Sequence, residues 1–151
     1  MNVIYLIYLL KNYMDLKISM SYVNDQKFEL FNQTKNSLLV DMYDKEKKQN
    51  LSPMELLLSA LTSCAAVEIV SMIKKRRRNF KNLKAQTSGS RAETTPRYFK
   101  KIDIKYLIYS SDLTNEEAER FVSLALDKYC SVGASLRKDT TVNHSFEILR
   151  D

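Results

Sequence analysis

Apolar and polar positions along this chain fall into eight segments, and one dominates. From Met54 to Ile73 fourteen of twenty residues are apolar, too many for a single core-facing stripe, so the pattern predicts a helix buried nearly all round. Its ends are marked. Ser52 suits the N-cap, Pro53 the first helical position, and Glu55 completes a capping box. Lys74 to Arg78 place five cations at the C-terminal end, where the helix dipole favours them. Before this helix, Leu16 to Tyr22, Lys27 to Phe31 and Ser37 to Met42 alternate like strands, separated by Asn24-Asp25 and by Asn32 to Asn36. A polar loop, Asp44 to Leu51, leads into the helix.

After it, Leu83 to Glu93 reads as a strand, with Ser88-Gly89-Ser90 predicting a bend or bulge. In Tyr98 to Tyr109, Ile102, Ile104, Tyr106 and Ile108 alternate with Lys101, Asp103 and Lys105, the cleanest strand pattern in the chain. Thr114 with Glu117 opens a second capped helix. Phe121, Val122, Ala125, Leu126, Tyr129 and Cys130 form its apolar face, Ser131-Val132-Gly133 its end, and Val142 to Leu149 a closing strand. The order βββ-α-ββ-α-β predicts an α+β fold, with mostly antiparallel sheets packed around a long central helix.

A chain of 151 residues has the length of one domain. Regular patterning begins at Met14, so residues 14–151 are read as a single domain and residues 1–13 as a poorly patterned extension. The apolar run Val3 to Leu10 is too short to span a bilayer. The long helix carries Glu55, Glu68 and several Ser and Thr, so no membrane partner is expected. Net charge is +6, but removing Lys74 to Arg78 from 24 cations leaves 19 against 18 acids. A charge held in one local run predicts a solvated helix end and no nucleic-acid partner. Two cysteines and one histidine are too few for a disulfide framework or a conventional zinc site. A reducing, cytoplasmic setting is expected, with no metal and no cofactor.

Three stretches, SPMELLLSALTSC, SRAETTPRYFKKIDIKY and DKYCSV, resemble the OsmC/Ohr family of osmotically induced and organic-hydroperoxide-resistance proteins. In the first, a proline precedes the helical cysteine by eleven positions; the second includes Arg91 and Pro96; the third ends the second helix. The resemblance runs from about Met14 to the C-terminus. It implies an intertwined homodimer with the two long helices at its centre, and a thiol peroxidase cycle with Cys64 as peroxidatic and Cys130 as resolving cysteine. The sequence departs from the peroxidase members at two places. Their glutamate directly follows the proline, a slot held here by Met54, and Glu55, one residue later, is rotated by about 100°. They also use an arginine from the N-terminal strands, and this chain has none before Arg76.

The residues themselves set conditions on that chemistry. Peroxide reduction requires a thiolate, and Cys64 is about three turns from the helix N-terminus, where the dipole contributes little. A cation is therefore needed; Arg91 and a lysine from the first strands are the candidates. Cys64, Glu68 and Ser71 share a helix face. Glu68 either pairs with a cation structurally or lines the thiol site and orients that cation. Cys130, at a helix C-terminus, is expected to stay protonated until used, while His144 and Tyr129 read as structural. The expected activity is reduction of organic hydroperoxides, with an external dithiol restoring both cysteines. The alternative is a non-peroxidase thiol protein that binds a small apolar or sulfur-containing ligand.

Overall fold

The computed structural model describes residues 15–150, and the extension read over residues 1–13 lies outside them. The described residues form two compact units that divide between Glu55 and Leu56, inside one continuous helix.

In the first unit, strands β1 (Ile18–Asn24), β2 (Lys27–Asn32) and β3 (Ser37–Asp41) make an antiparallel sheet in chain order. Local chemistry sets both turns. Asp25 takes a positive φ of 38° and Lys35 one of 64°, while Asn32 Oδ1 accepts from the N–H groups of Thr34 at 3.0 Å and Asn36 at 2.9 Å, a side chain standing in for backbone. β1 is exposed along its length, including Ile18, Met20 and Tyr22.

The polar loop after β3 is held by Asp41, which is fully buried. Its Oδ2 accepts from Gln49 N at 3.1 Å, Asn50 N at 2.7 Å and Asn50 Nδ2 at 2.8 Å. Burial opposes ionisation of Asp41, but these hydrogen bonds, with Lys48 nearby, hold its carboxyl below the usual range. The loop thus delivers Ser52 to the start of α1 (Pro53–Lys75). There Ser52 N donates to Glu55 Oε2 at 2.7 Å and Glu55 N to Ser52 Oγ at 3.4 Å. Both arms of the expected capping box are made.

In the second unit, β4 (Phe80–Arg91), β5 (Phe99–Ser110) and β6 (Thr141–Leu149) form a sheet in chain order. β4 and β5 are antiparallel and β5 and β6 parallel, so three of the four pairings among the described strands are antiparallel, as the mostly antiparallel expectation had it. A parallel neighbour requires a crossover, supplied here by α2 (Asn115–Leu124) and the turns after it. The Thr114–Glu117 capping box is complete. Ile102, Ile104, Tyr106 and Ile108 are buried together with Leu61, Ala65, Ile69, Ile73, Phe121, Val122 and Ala125. Arg78 pairs with Glu117 near the start of α2, and Cys130, beyond its end, reaches Leu61. The two helices therefore run antiparallel.

The structure corrects four expectations in this unit. α1 is fully buried only along Leu61, Ala65, Ile69 and Ile73, while Val67 is 67% exposed, because one copy of the chain covers only one stripe of so apolar a helix. The helix also stops at Lys75, short of the cation run's end. Arg77 takes φ 57°, Arg77 N donates to Lys74 O at 2.9 Å and Arg78 N to Ile73 O at 3.2 Å, the bonding pattern of a Schellman stop. Gly89 itself pairs with Ile102 inside a continuous strand, and of the bend or bulge expected over Ser88-Gly89-Ser90 the structure has only the register shift at Ser90/Arg91. A Cβ at Gly89 would lie 2.6 Å from the Phe99 ring and 3.3 Å from Leu58 Cδ2, so close approach explains the glycine.

Tyr129 supplies the fourth correction. α2 ends in a π-helical turn, Ala125–Tyr129, which admits one extra residue and shifts the face that follows. Cys130 consequently takes the inward position and is buried, while Tyr129 is 46% exposed, with the Lys128 ammonium over its ring.

Two substitutions with opposite signs test this account. Arg77→Gly should raise stability by about 0.5–1 kcal/mol, since glycine removes the cost of a left-handed non-glycine residue. Gly89→Ala should lower it by about 1–3 kcal/mol through overpacking against Phe99. Urea midpoints moving the other way in either variant would refute the corresponding reading.

Candidate functional site

Cys64 and Cys130 converge in the second unit. Cys64 lies mid-helix, three residues after Leu61 and one before Ala65 in the buried stripe, and is itself half-buried. Cys130 is 3% exposed, placed inward by the π-helical turn. Both thiols are free, and Cys64 is near enough to Cys130 to help raise its pKa.

Cys130 is also the N-cap of a one-turn helix, α3 (Ser131–Ala134). Its Sγ accepts from Gly133 N at 3.2 Å and donates to Leu61 O at 3.8 Å. Burial pushes the Cys130 thiol up, the Gly133 N–H opposes that rise, and the hydrogen bond with Cys64 adds to it. The expectation of a protonated Cys130 thus acquires another cause: desolvation leads, and the residue begins a helix as well as following one. A tight Gly133 does not bring it there, for a Cβ at Gly133 would sit 3.5 Å from Leu61 Cδ1 and 3.6 Å from Cys130 Sγ, ordinary contacts.

The turn of α1 before Cys64 is braced from the sheet. Tyr106 on β5 is fully buried, and its hydroxyl donates to Thr62 O at 3.1 Å. Thr62 Oγ1 donates to Leu58 O at 2.7 Å and is 2.6 Å from Thr87 Oγ1 on β4. Burial, then the nearby Cys130 and Cys64, push the Tyr106 phenol well up, so it remains a neutral donor. Sequence pattern put Tyr106 on the inward face of β5 but did not assign it this role. A phenol on a buried face must find a partner for its hydroxyl, and that requirement was its available signal.

The other candidates are placed elsewhere. Glu55 is at the helix start, nine positions and roughly 13 Å of rise before Cys64. It also forms a salt bridge with Lys48. Lys48 first, then the Ser52 hydroxyl and N–H, depress its pKa to about 2. Arg91 is exposed, and its Nε donates to Arg97 O at 2.6 Å, bracing the connection from β4 to β5. Glu68 is half-buried one turn beyond Cys64; no ion pair joins it to any described residue. His144 Nε2 is 3.3 Å from Ser123 Oγ and 3.6 Å from Glu119 Oε1, linking β6 to α2.

An acid-side stability measurement isolates the role of Glu55. Its folded pKa of about 2 lies below the ordinary 4.5, so its contribution is present above pH ~4.5 and is lost as pH falls toward ~2. Glu55→Gln keeps a capping side chain but loses the charge. The thermal midpoint of the variant should trail the parent's most near neutral pH, and the gap should close over that window. A constant gap down to pH 2 would remove the charged pair from the account.

Comparison with known proteins bears on the family and the fold. The family model described as OsmC-like protein matches residues 45–145. Protein YhfA of Escherichia coli (strain K12) is 34% identical over 98 residues, covering 65% of this chain and 73% of that protein. A hypothetical protein from Aquifex aeolicus VF5 superposes with a TM-score of 0.79 at 27% identity, covering 89% and 96% of the two chains. The organic hydroperoxide resistance protein OhrB of Bacillus subtilis gives 0.61 at 16% identity, covering 89% and 99%, a likeness of fold.

Proposed function

We propose that this chain, which belongs to the OsmC family, is a thiol-dependent peroxidase that reduces organic hydroperoxides. The carrying observation is the unequal thiol pair: Cys64 is half-buried and Cys130 buried, and the two are near enough for Cys64 to help raise the Cys130 pKa. In the cycle, the Cys64 thiolate attacks the outer peroxide oxygen, the O–O bond breaks, and the alcohol leaves with a proton. Cys64 becomes a sulfenic acid. The Cys130 thiol condenses with it, releasing water and forming the Cys64–Cys130 disulfide, and an external dithiol reduces that bond while becoming a disulfide itself. A reducing cytoplasm suits such a cycle.

We assign the working form as a homodimer. Val67 on α1 and the row Ile18, Met20 and Tyr22 on β1 are exposed apolar surface, and a second copy of the chain would remove it from water. A second functional reading has its own support. Among the described residues no arginine or lysine bonds to Cys64, and Glu68 is the acid one turn away, which favours a non-peroxidase thiol protein that binds a small apolar or sulfur-containing ligand.

Peroxide consumption with a dithiol separates these readings. Cumene hydroperoxide should be turned over faster than hydrogen peroxide, and Cys64→Ser should abolish turnover. Cys130→Ser should consume about one equivalent per subunit and then stop, with one or two added oxygens found on Cys64 by intact mass and peptide mapping. Oxygens on Cys130 instead, in the Cys64→Ser variant, would reverse the two roles. Oxidation of Cys64 no faster than a model thiol would replace the enzyme with the binding protein.

A further inference from the structure

The basic run at the end of α1 does more than finish a helix. Two of its five cations are engaged by the fold. Lys74 lies over the Phe80 ring at 5.8 Å, and Arg78 forks onto Glu117 through Nε and Nη2, each at 2.9 Å from a carboxylate oxygen. Lys75 and Arg76 have no salt bridge to any described residue. They meet Arg120 of α2, which also has none, around a pocket of about 190 Å³. Its remaining lining is apolar: Met72 of α1 with Phe121 and Leu124 of α2.

The charge of this rim is not cancelled locally. Glu117, the acid whose carboxyl Arg76 also helps to hold low, is drawn first to Arg78. Three cations from two helices thus surround an apolar floor, and a solvated helix end alone would need neither the floor nor Arg120. The volume is below the roughly 300–1,000 Å³ of drug-sized sites, too small for a nucleotide but suited to a short apolar tail. From Cys64 to Lys75 is eleven residues, about 16 Å along the helix, so the pocket is separate from the thiol pair.

We infer that Lys75, Arg76 and Arg120, with the floor between them, form a binding site for a small amphiphilic anion, a carboxylate on a short alkyl or aryl tail. The carboxylate would sit among the cations, and the tail would cover the part-exposed Met72 and Leu124 side chains. Binding needs neither thiol, so it stands or falls apart from the peroxidase reading.

Titration calorimetry of the full chain with decanoate tests it, with 1-decanol and acetate as half-ligands. Decanoate should bind at one site per chain, more weakly as salt rises, and both half-ligands should bind at least about tenfold more weakly. Arg120→Glu and Lys75→Glu, with unchanged thermal unfolding, should each weaken decanoate at least about tenfold, whereas Lys84→Glu on β4 should not. Cys64→Ser should bind decanoate like the parent. Equal affinity for decanol would dismiss the charges, equal affinity for acetate would dismiss the floor, and indifference to Arg120→Glu would misplace the site. Tight, salt-sensitive binding of a DNA duplex that decanoate fails to displace would make the patch a nucleic-acid surface and overturn the proposal.

Discussion

A 23-residue helix this apolar has to be started, stopped and held in one rotation, and the rest of the structure depends on that constraint. Its start is set by carboxylates: buried Asp41 folds the preceding loop onto its own strand, and Glu55 closes the cap with Ser52 and Lys48. Its stop is a backbone device, with Arg77 in a left-handed conformation. Its rotation is fixed by Leu61, Ala65, Ile69 and Ile73, which are buried without remainder. Cys64 lies at the margin of that stripe. A residue there is held by its neighbours' packing yet keeps part of its surface in reach.

The second cysteine is positioned by a break in helical regularity. Had α2 continued with 3.6 residues per turn, Tyr129 would share the inward face with Val122 and Ala125. The π-helical turn spends one residue, turns Tyr129 outward and brings Cys130 under Leu61. Burial pushes the Cys130 thiol up, and the two sulfurs differ in access although they are neighbours. That asymmetry is what a two-step thiol cycle requires, and Tyr106 keeps the backbone beside Cys64 rigid through Thr62.

The positive charge is divided by its surroundings. Along the chain, Lys74 to Arg78 are one undifferentiated run, but the helix stop sends them in different directions. Phe80 takes Lys74, Glu117 takes Arg78, and Lys75 and Arg76 are left beside Arg120. A surplus that looks diffuse in composition becomes three charges around an apolar floor.

By itself the sequence determined what periodicity and local chemistry encode. The strands, both capping boxes and the inward row Ile102, Ile104, Tyr106 and Ile108 were legible because each rests on residues within a few positions of one another. The resemblance in SPMELLLSALTSC and DKYCSV pointed to the family for the same reason. What only tertiary structure decided involves residues far apart in the chain. Gly89 answers to the Phe99 ring, not to a turn, and β6 lies parallel to β5 because a crossover of α2 and turns precedes it. The outward Tyr129 and the inward Cys130 follow from one inserted residue that no 3.6-residue count registers. Periodicity fixes which face of an element is apolar, but only packing decides which residues meet across it.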